Sequence, residues 1–246
     1  MASAAQTYQE EMHGNVGFYA TWLPGDHIDV GDIGTIEAGR FRKATSLDEL
    51  GIAREVSRKA SAQDMQYSSR SGASMQVGGN ATVPGVPGVT AEIEVQFSRQ
   101  GAFLFHASNL RQERLENRGA LATAILQAYQ RGTWTKAWFL VEALHHADCA
   151  TILVADAGAA GLRLKARAPI ALGPLPLADP AVHLDVQATH GRLMQVLAGR
   201  NLKPLYSCLR VKDGWLSDPS LVAVRGQGPA SDEVLVRPGI GELLAS

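Results

Sequence analysis

Val89–Phe97 reads VTAEIEVQF. Val89, Ala91, Ile93, Val95 and Phe97 alternate with Thr90, Glu92, Glu94 and Gln96. Side chains leave a strand on opposite faces in turn, so a period of two predicts a β-strand with one apolar and one wet face. The pattern returns in Leu162–Ala168, LRLKARA, where Leu162, Leu164, Ala166 and Ala168 alternate with Arg163, Lys165 and Arg167. It returns again in Val182–Ala188, VHLDVQA. Helical and strand-like stretches mix without a regular strand–helix–strand order. The expected fold class is therefore α+β, a twisted and mainly antiparallel sheet with a few packed helices.

Working back toward the N-terminus, the PGVPG run at 84–88 and Gly78-Gly79 interrupt a strand-like stretch that begins at Met75. Residues 53–74 are polar and Ser-rich and read as a loop or hairpin edge. Ser46 with Glu49 fits a capping box, which predicts a short helix ending at Gly51. Thr35–Lys43 reads as a strand or turn around Gly39, Phe18–Leu23 as a strand stopped by Pro24-Gly25, and residues 1–14 as a short acidic helix.

Toward the C-terminus, Phe103–Ala107 predicts a strand. Asn109 then reads as the cap of a helix over Arg111–Arg131, with Leu115, Leu121, Ala122, Ile125, Leu126 and Tyr129 near one face and Gly132 as its stop. Trp138–Leu144 and Cys149–Val154 predict two strands. The turn Asp156–Gly161 then leads into 162–168, which predicts a long hairpin. Strands follow at 182–188, about 192–198, and Pro204–Val211. Gly226–Ser231, GQGPAS, has linker composition. The expected organisation is one domain over 1–225, then a linker and short tail over 226–246.

The bulk numbers exclude several classes. Lys+Arg total 23 against 24 Asp+Glu in 246 residues, so no global charge favours nucleic acid or an anionic surface. The two cysteines, Cys149 and Cys208, are too few for a disulfide framework and lie in apolar contexts, as buried reduced thiols do. MASAAQTYQEEMHGN lacks the basic-then-apolar pattern of a signal peptide. No apolar run reaches the roughly 18 residues of a membrane helix, which leaves insertion as strands open. The expected location is cytoplasmic.

Candidate chemistry is sparse. Asp26, His27, Asp29 and Asp32 cluster in sequence without calcium-loop spacing, and acidic turn residues are the plainer reading. His145 and His146, beside Asp148 and Cys149, would point to opposite faces of a strand, and a polar hairpin turn is the plainer reading. There is no Gly-rich phosphate loop and no nucleophile elbow. No catalytic residue, metal or cofactor is expected. Arg163, Lys165 and Arg167 put three cations on one strand face, read either as a solvated edge or as a contact for lipid headgroups or a pore lumen.

The order of parts resembles the pore-forming domain of the gasdermins, the small bacterial ones above all. The corresponding stretches are FYATWLP at 18–24, SMQVGGNATVPGVPGVTAEIEVQFS at 74–98, ALATAILQAYQ at 120–130, WFLVEAL at 138–144, CATILVADAGAAGLRLKARA at 149–168 and PLYSCLRV at 204–211. The resemblance implies a non-enzymatic pore-forming effector of bacterial defence and cell death. It would be soluble and inhibited until activated, then move to the membrane and insert amphipathic hairpins as a homo-oligomer. The lipid-facing set would be Val89, Ala91, Ile93, Val95, Phe97, Ile152, Val154, Leu162, Leu164 and Ala166. Arg163, Lys165 and Arg167 would face lumen or headgroups. An activating protease would cut near Arg225, Gly226 and Gln227, and Val234, Leu235, Val236, Ile240, Leu243 and Leu244 would form the inhibitory tail. Membrane lipids are the implied partner, with no nucleic acid. Two features depart from the bacterial pattern: no cysteine lies near Met1, and the first helix is acidic. The rival readings are a soluble binding or regulatory module and a metal-dependent hydrolase built on Asp26–Asp32 or His145–Cys149.

Overall fold

The computed structural model describes residues 4–21, 27–37, 39–59, 63–69, 71–78, 91–156, 158–166, 177, 184–212 and 234–240. It is an α+β chain, and the strand pairs whose register is described are antiparallel, Ala91–Phe97 with Ala160–Ala166 and Asp32–Glu37 with Arg40–Ser46 among them. In order, the elements are α1 (Ala4–Val16), β1 (Tyr19–Ala20), β2 (Asp32–Glu37), β3 (Arg40–Ser46), β4 (Val56–Arg58), β5 (Gln63–Ser68), β6 (Ala73–Gly78), β7 (Ala91–Phe97), β8 (Phe103–Leu115), α2 (Arg118–Gln130), β9 (Phe139–Ala155), β10 (Ala160–Ala166), β11 (Leu184–His190), β12 (Leu193–Val211) and β13 (Leu235–Val236). Two compact units divide the chain: Met1–Val16, Ser61–Arg111 and His146–Leu202 form the first, and Gly17–Ala60, Gln112–His145 and Lys203–Ser246 the second.

The first unit holds a four-stranded sheet in the order β11-β10-β7-β6. Its core gathers Ile93, Val95 and Phe97 of β7, Leu162 and Leu164 of β10, and Leu104, Leu153, Ala155 and Leu177. α1 lies in the same unit, with Tyr8 edge-to-face on Phe103 at 4.9 Å and Glu11 paired to Arg99. The second unit orders its strands β1-β12-β9-β2-β3. Its core includes Ile33, Leu47, Leu140, Leu144, Cys208 and Leu209 together with Leu121, Ile125 and Leu126 of α2.

Several expectations are revised. α2 starts at Arg118, so residues 111–115 are the end of β8 and Asn109 caps no helix. Asn109 sits inside β8 with φ 53°, the left-handed region that Asn tolerates better than other side-chain-bearing residues. Around it β5 advances from Gln63 to Met65 while its partner on β8 steps from Leu110 to Ala107, a β-bulge. Asp64 accepts the Asn109 N–H at 3.0 Å and Asp148 accepts its side-chain amide at 2.9 Å, so the bulge is pinned from two neighbours.

Trp138–Leu144 and Cys149–Val154 join into one strand, β9, that passes through His145 and His146 without a turn. The two last predicted strands likewise join into β12, which takes a left-handed bend at Asn201. Residues 56–58 and 63–68 pair with β8 as strands rather than looping. The predicted capping bond forms, with Ser46 Oγ accepting from Glu49 N at 3.2 Å, but on a turn instead of a helix. The rest of the reading of α2 holds: Gly132 at φ 74° ends it, with Thr133 N–H on the Ala128 carbonyl and Gly132 N–H on that of Tyr129.

Candidate functional site

Two arrangements, one in each unit, carry the features singled out from the sequence. In the first unit, β7 and β10 pair residue by residue: Ile93 opposite Leu164, Val95 opposite Leu162, Glu94 opposite Arg163 and Glu92 opposite Lys165. The register therefore puts Ile93, Val95, Leu162 and Leu164 on one face and Glu94 and Arg163 on the other. Ile93, Val95, Phe97, Leu162 and Leu164 are all buried. On the wet face the Arg163 guanidinium stands 3.9 Å from the Glu94 carboxylate, both partly exposed. β6 and β11 flank this pair, with Met75 opposite Val95 and Gln187 opposite Arg163. β6–β7 and β10–β11 are each antiparallel neighbours, so the sheet is two hairpins side by side.

The expected hairpin of 149–168 is not the one that forms. β10 pairs with β7 and β11, and β9 belongs to the other sheet. Ile152 and Val154 are buried but outside the cluster that holds Leu162 and Leu164; their neighbours Leu153 and Ala155 supply that contact. The end of β9, ATILVA at 150–155, is apolar apart from Thr151 and buried throughout, so alternation gave no basis for choosing its face. Ala91 and Ala166 face each other in the β7–β10 register. Val89 and Arg167 lie outside the described residues, as do Arg225, Gly226, Gln227, Leu243 and Leu244.

In the second unit, the expected tail is seated on the sheet. β13 pairs with β12, Leu235 opposite Val211 and Val236 opposite Arg210, and Lys212 N–H donates to the Val234 carbonyl at 2.8 Å. Val234 and Leu235 are buried in the core cluster, and Ile240 packs partly against it. Tyr19 donates its hydroxyl to the Pro238 carbonyl. Arg237 reaches Glu142 on β9, a carboxylate only 4% exposed. Arg118, the first residue of α2, holds the other oxygen of Glu142, and Ser207 donates to Glu142 at 3.0 Å. Two cations and a hydroxyl thus compensate one buried carboxylate.

Glu142, Arg118, Ser207 and Arg237 went unnoticed in the sequence. A signal was present: Glu142 interrupts the apolar run WFLVEAL, and a charge inside a buried strand needs a partner. Cys208 lies beside this group. Burial pushes its thiol well above the ordinary range and the charge of Glu142 adds to the effect, while Arg237 opposes it.

Asp29, Asp32, Asp148 and His145 of the two candidate metal clusters are engaged elsewhere. Asp32 pairs with Lys43 at 2.8 Å and also accepts the Asp29 N–H, and Asp29 pairs with Lys203. Asp26 lies outside the described residues. Asp148 takes both oxygens to Arg111, at 2.8 and 3.0 Å, and His145 sits edge-to-face on Phe18 at 4.3 Å. Among the described residues no three His, Cys, Asp or Glu groups converge as a metal site, and no helix is long and apolar enough to cross a membrane.

No protein-family model matches the chain, and no curated protein matches it. Among solved structures it is similar to the gasdermin A3 membrane pore seen by cryo-electron microscopy. The identity is 10% and the TM-score 0.35, over 85% of this chain and 90% of that one. The likeness is distant.

Proposed function

We propose that the chain is a non-enzymatic pore-forming effector whose four-stranded sheet exchanges a protein core for lipid after activation. The observation that supports this reading is the β7–β10 register, which keeps Ile93, Val95, Leu162 and Leu164 on one face and Glu94 and Arg163 on the other. A membrane strand needs that division between lipid and lumen. It also needs roughly 9–11 residues, so β7 and β10, seven residues each, would have to lengthen into their flanks. The strand number suits assembly. With four antiparallel strands, the outer strands β6 and β11 run in opposite directions, so β11 of one copy can meet β6 of the next in antiparallel register. Repeated head-to-tail addition of this kind makes a ring or barrel when the rotation between copies closes.

In this reading the docked tail restrains the resting form, and cleavage between β12 and β13, near Arg225, Gly226 and Gln227, weakens its hold. The partners are membrane lipids, further copies of the chain and an activating protease. The protein rests in the cytoplasm and moves to the membrane on activation. Dye release from liposomes, before and after limited proteolysis within 213–233, tests it. Leakage appearing only after cleavage is the expected result. Intact liposomes of both neutral and anionic composition, whether or not the chain has been cut, would end the reading.

A further inference from the structure

The seat of the tail has the parts of a peptide-recognition site. Its occupant is Val234-Leu235-Val236-Arg237, of which Leu235 and Val236 form a strand along one edge of β12, the edge that β1 occupies at Leu205 and Tyr206. Main-chain bonds of this kind hold a strand without regard to sequence, and selectivity comes from pockets for its side chains. Here there are two such features. The core cluster buries Val234 and Leu235, and the buried carboxylate of Glu142 receives Arg237. Because β13 contributes only two ladder residues, these side chains carry most of the recognition.

The seat is also built to survive being emptied. A carboxylate as buried as Glu142 would be costly to leave without a counter-charge. Arg118 and Ser207 contact it independently of the tail, so both remain when Arg237 departs. Arg237 is the most exposed member of the group, its side chain 55% accessible against 27% for Arg118. It can leave and return without unpacking α2. Arg118 thus keeps Glu142 compensated in an open seat, and Glu142 keeps an oxygen available to an incoming guanidinium.

We propose that this seat is a strand-addition site for extended peptides of the pattern apolar–apolar–any–Arg, occupied in the resting chain by its own tail and open to exchange for a partner protein's segment of that chemistry. Glu142 is its specificity-determining residue. The inference does not depend on pore formation, and its test uses no membrane.

The probe is a fluorescent peptide with the sequence of residues 233–240, EVLVRPGI. The host is the full-length chain carrying Leu235→Asp and Arg237→Ala, which disables its own tail. Saturable binding by fluorescence anisotropy is expected. Changing the peptide's arginine to glutamine weakens it about fivefold, as loss of a half-exposed charge pair does. Glu142→Gln in the host costs the same, and the two changes together cost no more than either alone. Absence of binding, equal binding by the glutamine peptide, or losses that simply add would overturn the proposal. If the double variant does not fold, amide hydrogen exchange in the otherwise unchanged full chain replaces it. Exchange at Lys212 is expected to be about tenfold faster or more in Glu142→Gln than in wild type, and equal rates would equally overturn the assignment.

Discussion

Arg237, in the C-terminal stretch, donates to the carboxylate of Glu142, 95 positions earlier in the chain. The pair is unequal: Glu142 is buried and Arg237 is half in water. What each residue leaves behind when it is removed therefore differs.

Glu142→Gln leaves Arg118 and Arg237 facing each other without the anion between them. The expected loss is about 3 kcal/mol of unfolding free energy. Arg237→Ala leaves Glu142 still paired to Arg118 and hydrogen-bonded to Ser207, so about 1 kcal/mol is expected. Urea denaturation of both variants checks the order. An equal loss in the two would mean that Arg118 does not compensate the carboxylate.

Leu164 is fully buried in the core of the first unit, opposite Ile93. Leu164→Asp places a carboxylate there and is expected to destabilise that unit by about 3–5 kcal/mol. Leakage lost in this variant would not separate folding from insertion. Arg163→Glu is the cleaner probe of the wet face. It sets like charges opposite each other at Glu94, a pair that is partly exposed, and should cost at most about 1 kcal/mol. Thermal melts of the two variants should differ accordingly.

His106 on β8 is 5% exposed, and burial lowers its pKa from 6.5 to about 4. The unfolded chain therefore takes up this proton first as pH falls. Stability from this residue is intact above pH 6.5, declines between 6.5 and about 4, and is level below that. The full span is worth about 3 kcal/mol. Urea midpoints of wild type and His106→Phe, compared across pH 4 to 7, should converge as the pH drops if the variant is less stable at neutral pH. A difference that does not change with pH would contradict the assignment.

Asn109 holds its left-handed bend with hydrogen bonds to Asp64 and Asp148. Asn109→Val loses the side-chain bond and adds backbone strain, for about 2–3 kcal/mol. Asn109→Gly loses only the bond and should cost about 1 kcal/mol. The gap between them, measured by chemical denaturation, isolates the conformational part. Equal costs would mean that β8 straightens without strain.

Much of the frame was legible in the chain itself. The alternation in Val89–Phe97 and Leu162–Ala168 marked two half-buried strands, found as Ala91–Phe97 and Ala160–Ala166, and the spacing of Leu121, Ala122, Ile125 and Leu126 marked the buried face of α2. These patterns are local. A side chain's direction follows from its place in a strand or helix, so polarity along the chain reports which side is wet. The start of α2 was misplaced because Arg111, Glu113 and Arg114 suit an exposed helix turn as well as the half-exposed end of β8.

Partnership was decided only by the tertiary structure. Amphipathic alternation says that β10 buries one face, yet not that its neighbours are β7 and β11 instead of β9, because hydrogen-bonding edges look alike in every strand. The same holds for Glu142, Arg118 and Arg237, charges drawn from three separate stretches of the chain. A buried carboxylate announces a need for cations, and only folding determines which of the 23 lysines and arginines come within reach.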